Sequence, residues 1–149
     1  MILSVHHISF TVGDIDRSIK FYKNLGFKVD SDRRGLAENY LRNITGYSDA
    51  IMNVTFLSGY NMLLELIEYV QPSGVNLDKS NYNIGSAHIC FEVDNVKHEY
   101  DRLTLEGVVF RSLPVEIDTG INAGRVAVYF YDPDGYTLEL HSKTSTYKP

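Results

Sequence analysis

The chain has one cysteine, Cys90, so no intrachain disulfide can form. It has no tryptophan, and its aromatic content is almost wholly tyrosine and phenylalanine, from which no function follows. It has no surplus of positive charge: 14 Lys and Arg stand against 19 Asp and Glu, for a net charge of −5. Without a basic excess there is little to replace phosphate counterions, which argues against a nucleic-acid partner. A small anionic substrate needs only one or two local Arg or Lys and stays open. No apolar run approaches membrane-spanning length, so no membrane partner is expected. Met1 to Val5 lacks a basic start and a cleavage site and does not read as a signal peptide. These absences together favour the cytoplasm as the expected location. The 149 residues suit one domain or two small fused modules.

What is present is a repeat built around a histidine. His7-Ile8-Ser9-Phe10-Thr11-Val12 returns as His88-Ile89-Cys90-Phe91-Glu92-Val93, 81 positions later, and Gly26 lands on Gly107 at the same offset. Each copy ends in an apolar strand with one central carboxylate, Leu64-Glu65-Leu66 and Leu138-Glu139-Leu140. A repeat at fixed spacing signals two copies of one supersecondary unit.

Val5 to Val12 alternates, with Ile8, Phe10 and Val12 on one side and His7, Ser9 and Thr11 on the other, which predicts a half-buried strand. Asp14 can cap a following helix whose stripe is Ile15, Ile19 and Tyr22, and Gly26 fits its left-handed stop. Asn95, then Val96, Tyr100 and Leu103, then Gly107 repeat that plan. The later strands realign at an offset of 74, with Val54 and Phe56 on Val128 and Phe130, and Glu65 on Glu139. The first half therefore carries seven extra residues, placed within Arg33 to Asp49. Asp132-Pro133-Asp134-Gly135 and Ser58-Gly59-Tyr60-Asn61 read as turns between strands. Each half thus reads β-α-β-β-β, giving an α+β fold of two modules, residues 1–71 and 86–149, joined by a polar linker at 72–85.

Taken singly, His7, Glu65, His88 and Glu139 are ordinary structural residues. Their joint placement changes that. Alternation sets each Glu opposite its two Leu neighbours, so if those Leu pack under the helices, both Glu share the inner face with both His. Carboxylates buried there without a cation would be costly. Two imidazoles and two carboxylates form a donor set for one divalent metal.

On these segments the chain resembles the vicinal-oxygen-chelate superfamily, which includes glyoxalase I, methylmalonyl-CoA epimerase, extradiol dioxygenases, fosfomycin-resistance enzymes and bleomycin-binding proteins. The resemblance rests on His7-Ile8 with Val12, Phe21-Tyr22 through Leu25-Gly26-Phe27, His88 to Val93, and Asp132 to Leu140, and spans essentially the whole chain. It implies that the two modules curl into a U-shaped open barrel around one metal held by His7, Glu65, His88 and Glu139. It also implies a homodimer. A two-His, two-Glu set is most similar to glyoxalase I, which implies a lyase or isomerase acting on a thiol adduct of a 2-oxoaldehyde or a similar 2-hydroxycarbonyl. Nickel, cobalt or zinc is the expected ion, with iron and manganese the other candidates. The metal would act as a Lewis acid while Glu65 or Glu139 moves the proton. The alternatives are a methylmalonyl-CoA-epimerase-like isomerase, an Fe(II) extradiol-type dioxygenase and a drug-binding protein of the bleomycin-resistance kind.

The remaining candidates are read as follows. His6 should face away from His7, into packing or a module interface. His141, two residues past Glu139 on the same face, could touch substrate but is expected to be solvent-exposed at the strand end. Cys90 is expected to pack, and Glu92 to line the barrel mouth or support the metal shell. Arg33, Arg34, Arg42 and Arg125 are candidates for a substrate anion. The insert from Gly35 to Asp49, with Tyr40 and Tyr47, breaks the repeat and is the expected specificity loop.

Overall fold

The structure is a computed structural model that describes residues 1–142. The first compact unit is Met1–Asn76 and the second begins at Leu77. In the first, β1 (Ile8–Thr11), α1 (Ile15–Asn24), β2 (Lys28–Leu36), α2 (Asn39–Thr45), β3 (Ile51–Gly59) and β4 (Met62–Gln71) follow one another. In the second the order is β5 (His88–Val93), α3 (Val96–Leu105), β6 (Val115–Glu116), β7 (Val126–Tyr131) and β8 (Thr137–Ser142). Each unit is the expected β-α-β-β-β module, and the insert of the first folds into the short helix α2.

Each module forms an open four-stranded sheet, in the orders β1-β4-β3-β2 and β5-β8-β7-β6. The first and last strands of a module pair in parallel, Ser9 beside Glu65 and Cys90 beside Glu139. The other pairings are antiparallel. One side of each sheet packs on its long helix. There Phe10, Val12, Ile15, Tyr22, Leu57, Leu64 and Leu66 make the first core, and Val96, Leu103, Val128, Phe130, Leu138 and Leu140 the second. The predicted α1 stripe is offset, because Ser18 is fully buried where Ile19 is half-buried.

The helix signals behave as the sequence says. Asp14 accepts from the Arg17 N–H and Asn95 from the His98 N–H, each at 3.0 Å. Gly26 and Gly107 follow the two helices at φ +100° and +84°, the left-handed geometry that ends a helix. The first hairpin turns on Tyr60 and Asn61, both at positive φ, between Gly59 and Met62.

One expectation is overturned. Glu65 pairs with Phe56, but Glu139 pairs with Tyr129. Strands β3 and β7 therefore correspond at 73 positions, and Phe56 answers to Tyr129 rather than Phe130. The second hairpin has a five-residue loop, Asp132 to Tyr136, against two residues in the first. A one-residue change of register moves every side chain to the other face, so Phe130 lies in the core while Phe56 does not.

Candidate metal centre

The face of each sheet away from its helix carries the candidate site residues. Because Leu64, Leu66, Leu138 and Leu140 fill the cores, Glu65 and Glu139 point to the other side. His7 immediately precedes β1 and His88 opens β5, so each reaches diagonally across the parallel pair to its Glu. His7 Nε2 lies 3.3 Å from Glu65 Oε2, and His88 Nε2 lies 3.1 Å from Glu139 Oε2. Both carboxylates keep 15% side-chain exposure, against 36% and 41% for the two imidazoles. An aromatic ring closes each pair edge-on: Phe56 at 5.7 Å from His7 and Tyr129 at 5.4 Å from His88.

The structure thus brings the four predicted residues together in twos, one pair in each module. Among the described residues, no cluster of three or more His, Cys, Asp and Glu is close enough to hold a metal. The spacing within each pair nonetheless fits a metal. Two donors about 2.1 Å from one cation lie about 3.0 Å apart at a right angle and about 3.4 Å apart at the tetrahedral angle. The observed 3.1 and 3.3 Å fall in that interval. Each module presents one imidazole nitrogen and one carboxylate oxygen spaced as neighbouring ligands.

The surroundings of the pairs correct three expectations, for His6, His141 and Cys90. His6 is exposed, and its Nδ1 sits 2.8 Å from His7 Nδ1, so it contacts His7 instead of packing away from it. His141 is buried, at 9% exposure, and its Nε2 has no hydrogen-bond partner. Cys90 is exposed rather than packed. Partial desolvation, then the Glu139 carboxylate and its hydrogen bond, push its thiol up to about 12, so it stays protonated at neutral pH. Arg33 and Arg34 are engaged within the chain, Arg33 with Glu38 at 2.7 Å and Arg34 with Asp16 and Asp32 at 2.7 Å each. Arg42 differs: its Nε is buried without a partner. Glu92 is exposed, and Arg125 is half-buried.

The helix-free faces of the two sheets differ. In the first module Leu36, Met52 and Val54 form an apolar cluster joined by Leu41 of α2, Phe56, Ile67 and Tyr69. Tyr47, from the insert, meets Tyr69 edge-on at 6.1 Å. Desolvation, then nearby Tyr47 and Glu65, hold the Tyr69 phenol above its usual range. No helix follows α3 in the described part of the second module.

The model of the Glyoxalase/Bleomycin resistance protein/Dioxygenase superfamily matches residues 4–140. The chain belongs to that superfamily. A lactoylglutathione lyase of Haemophilus influenzae is 26% identical over 147 residues, which cover 97% of this chain and 96% of that protein. A lactoylglutathione lyase of Arabidopsis thaliana is 28% identical over 146 residues, but this chain spans only 45% of its length. The plant relatives it matches are thus more than twice as long. Among solved structures, a glyoxalase family protein from Bacillus cereus superposes with a TM-score of 0.83 at 16% identity, covering 95% of both chains, which shows the shared fold. Among the described residues no helix is long and apolar enough to cross a membrane.

Proposed function

We propose that this superfamily member is a divalent-metal-dependent lyase or isomerase of the glyoxalase I type. Its substrate would be the thiol adduct of a 2-oxoaldehyde or a similar 2-hydroxycarbonyl compound. The observation that carries the reading is the His–Glu pair at the same place in both modules, with ligand-like spacing in each. The similarity to the Haemophilus lactoylglutathione lyase over nearly the full length of both proteins supports it.

His7, Glu65, His88 and Glu139 would hold the ion, which when bound supplies Lewis-acid polarisation of the substrate's oxygens. Glu65 or Glu139 would take a proton from the carbon beside the carbonyl and return it to the neighbouring carbon. Repetition makes Glu65 and Glu139 equal candidates for that base. Their low exposure keeps water from competing for the proton.

The test uses the hemithioacetal of methylglyoxal with a thiol, on protein loaded with nickel, cobalt or zinc. Glu→Gln preserves shape and one oxygen donor but removes the base. At least one of Glu65→Gln and Glu139→Gln should lower kcat by about 10²–10⁴-fold with metal still bound. Near wild-type kcat in both would remove the carboxylates from the mechanism. No turnover with any of the three ions would end the glyoxalase reading. Oxygen-sensitive iron in protein purified without chelator would then favour a dioxygenase, and no metal a binding protein.

A further inference from the structure

Two residues beyond Glu139, on the same face of β8, stands a group that the proposed chemistry does not use. His141 is nine-tenths buried and its Nε2 has no hydrogen-bond partner. An unsatisfied buried ring nitrogen costs on the order of 1–3 kcal/mol, so a group of this kind calls for an external partner. Its strand neighbours frame the place. Parallel pairing sets Glu92 of β5 directly beside it, and antiparallel pairing sets Ala127 of β7 on the other side.

The equivalent positions in the first module are Ile67, Thr11 and Val54. There Ile67 and Val54 belong to the apolar cluster that Leu41 of α2 covers. The same sheet positions are therefore filled with hydrocarbon in one module. In the other they hold a buried imidazole, an exposed carboxylate and a single methyl group. Symmetry is kept at the His–Glu pairs and broken one strand step further along, at a distance of about 6.6 Å.

We propose that His141 Nε2 and Glu92 form a subsite for a hydroxyl group carried on the tail of the substrate. This rests on the reading that the reacting carbon lies at the His88–Glu139 end. The pairing of groups selects the chemistry. A hydroxyl accepts from an imidazole N–H while donating to a carboxylate, so it satisfies both at once. An alkyl tail would leave the ring nitrogen unpaired. A carboxylate or phosphate would sit against Glu92 with Glu139 close by on the same face. The subsite thus prefers a neutral, hydroxylated chain over an anionic or purely aliphatic one.

The test measures binding rather than turnover. Hydroxamic acids present two vicinal oxygens to a metal, so the probes are 5-hydroxypentanohydroxamic acid and its methyl-ended counterpart, hexanohydroxamic acid. Both are titrated calorimetrically into the nickel-loaded full chain. The hydroxyl-ended probe should bind about three- to tenfold more tightly, the usual scale of one neutral hydrogen bond. His141→Leu should erase that difference and leave the methyl-ended affinity within about twofold. His141→Gln, which keeps an N–H donor, should restore part of it, and Glu92→Gln should reduce it without abolishing binding. Circular dichroism checks each variant's fold. Equal wild-type affinities, or a difference that survives in His141→Leu, would overturn the subsite. If the probes discriminate as described but no hemithioacetal is turned over, the glyoxalase reading falls and the subsite stands. If turnover is found without the discrimination, only the subsite falls. If neither probe binds the nickel-loaded protein, both fall.

Discussion

His7 has a neighbour on each of its ring nitrogens: Glu65 on Nε2 and His6 on Nδ1. One of the two Nδ1 atoms must carry a proton for the 2.8 Å contact to be a hydrogen bond. If Nε2 turns to a metal, its lone pair is committed there, so His7 Nδ1 keeps the proton and donates it to His6. His6 would then fix the ring and its tautomer, the support that metal-bound imidazoles usually receive. His6→Ala should weaken metal binding by about tenfold or more, read by competition with a chromophoric chelator. An unchanged affinity would make His6 a bystander. Alternation alone misplaces this residue, because the strand begins only at Ile8 and the two-residue period does not reach back to His6. His141 is misjudged for another reason. Position near the chain's end suggests exposure, but β8 is an interior strand flanked by β5 and β7, and pairing on both sides buries it. Cys90 is the reverse case. It sits on β5, an edge strand, on the face away from the helix, so a residue type usually buried is exposed. The four ligand candidates themselves were legible because each sits in a short, regular stretch that the sequence repeats.

The matched elements of the two modules allow matched experiments. Gly26 and Gly107 end their helices in the same left-handed geometry, where an added Cβ costs about 1–2 kcal/mol. Space separates them. A Cβ on Gly107 meets nothing within 4 Å, whereas one on Gly26 collides with the Tyr60 hydroxyl, which donates to the Leu25 carbonyl. Gly107→Ala should therefore show the conformational cost alone. Gly26→Ala should destabilise more, by denaturant melts of each variant, and equal losses would contradict the packing argument. Strand β2 offers a pH-dependent counterpart. The Arg34 guanidinium, and less strongly the Thr55 hydroxyl, hold the Asp32 carboxyl below its usual range against the opposing effect of desolvation. A carboxyl lowered by folding stabilises the native state above its unfolded pKa of about 3.9 and loses that contribution as pH falls through the folded value. Acid should thus weaken the first module from about pH 4 downward, and Asp32→Asn should flatten that part of the profile. An acid limb identical to wild type would remove Asp32 from it. Elements with local signals, such as caps, glycine stops and turns, are read from a few adjacent residues. Register is not. The Phe130-for-Phe56 alignment fails because apolar residues occupy both faces of β7, and only the loop length decides which one faces Glu139.

At the scale of the whole molecule, family membership and the two-module plan were readable, because duplication doubles every signal. The insert was also locatable, since it interrupts the repeat. The sequence could not show that the insert would form α2 and close an apolar patch on the helix-free face of the first sheet, because that depends on contacts between residues far apart in the chain. The proposed metal also has a whole-molecule consequence. Each compact unit holds two of the four proposed donors, so an ion shared by all four would bind only when both modules are folded. Such a ligand stabilises in proportion to the logarithm of its concentration over Kd, about 2.7 kcal/mol at a hundredfold excess. Calorimetry should show one transition in nickel and a broader or divided one after chelation. Identical traces would mean that no shared ion ties the modules together.

The parallel pairing of each module's first and last strands also governs when its His–Glu pair can exist at all. Glu65 follows His7 by 58 residues and Glu139 follows His88 by 51. Every other strand of the module lies within that loop. Contacts of such separation form late, since the entropy of closing the loop is lost before any interaction rewards it. Hairpins β3–β4 and β7–β8 can assemble from neighbours, but β1 and β5 must dock onto a ribbon already made. The His–Glu pair is therefore expected to form late in its module's folding rather than as an early nucleus. During synthesis His7 waits for most of the first module to emerge before it meets its carboxylate. A half-made module cannot capture metal as a pair, and any ion bound at such a pair marks a chain whose sheet has closed to its last strand.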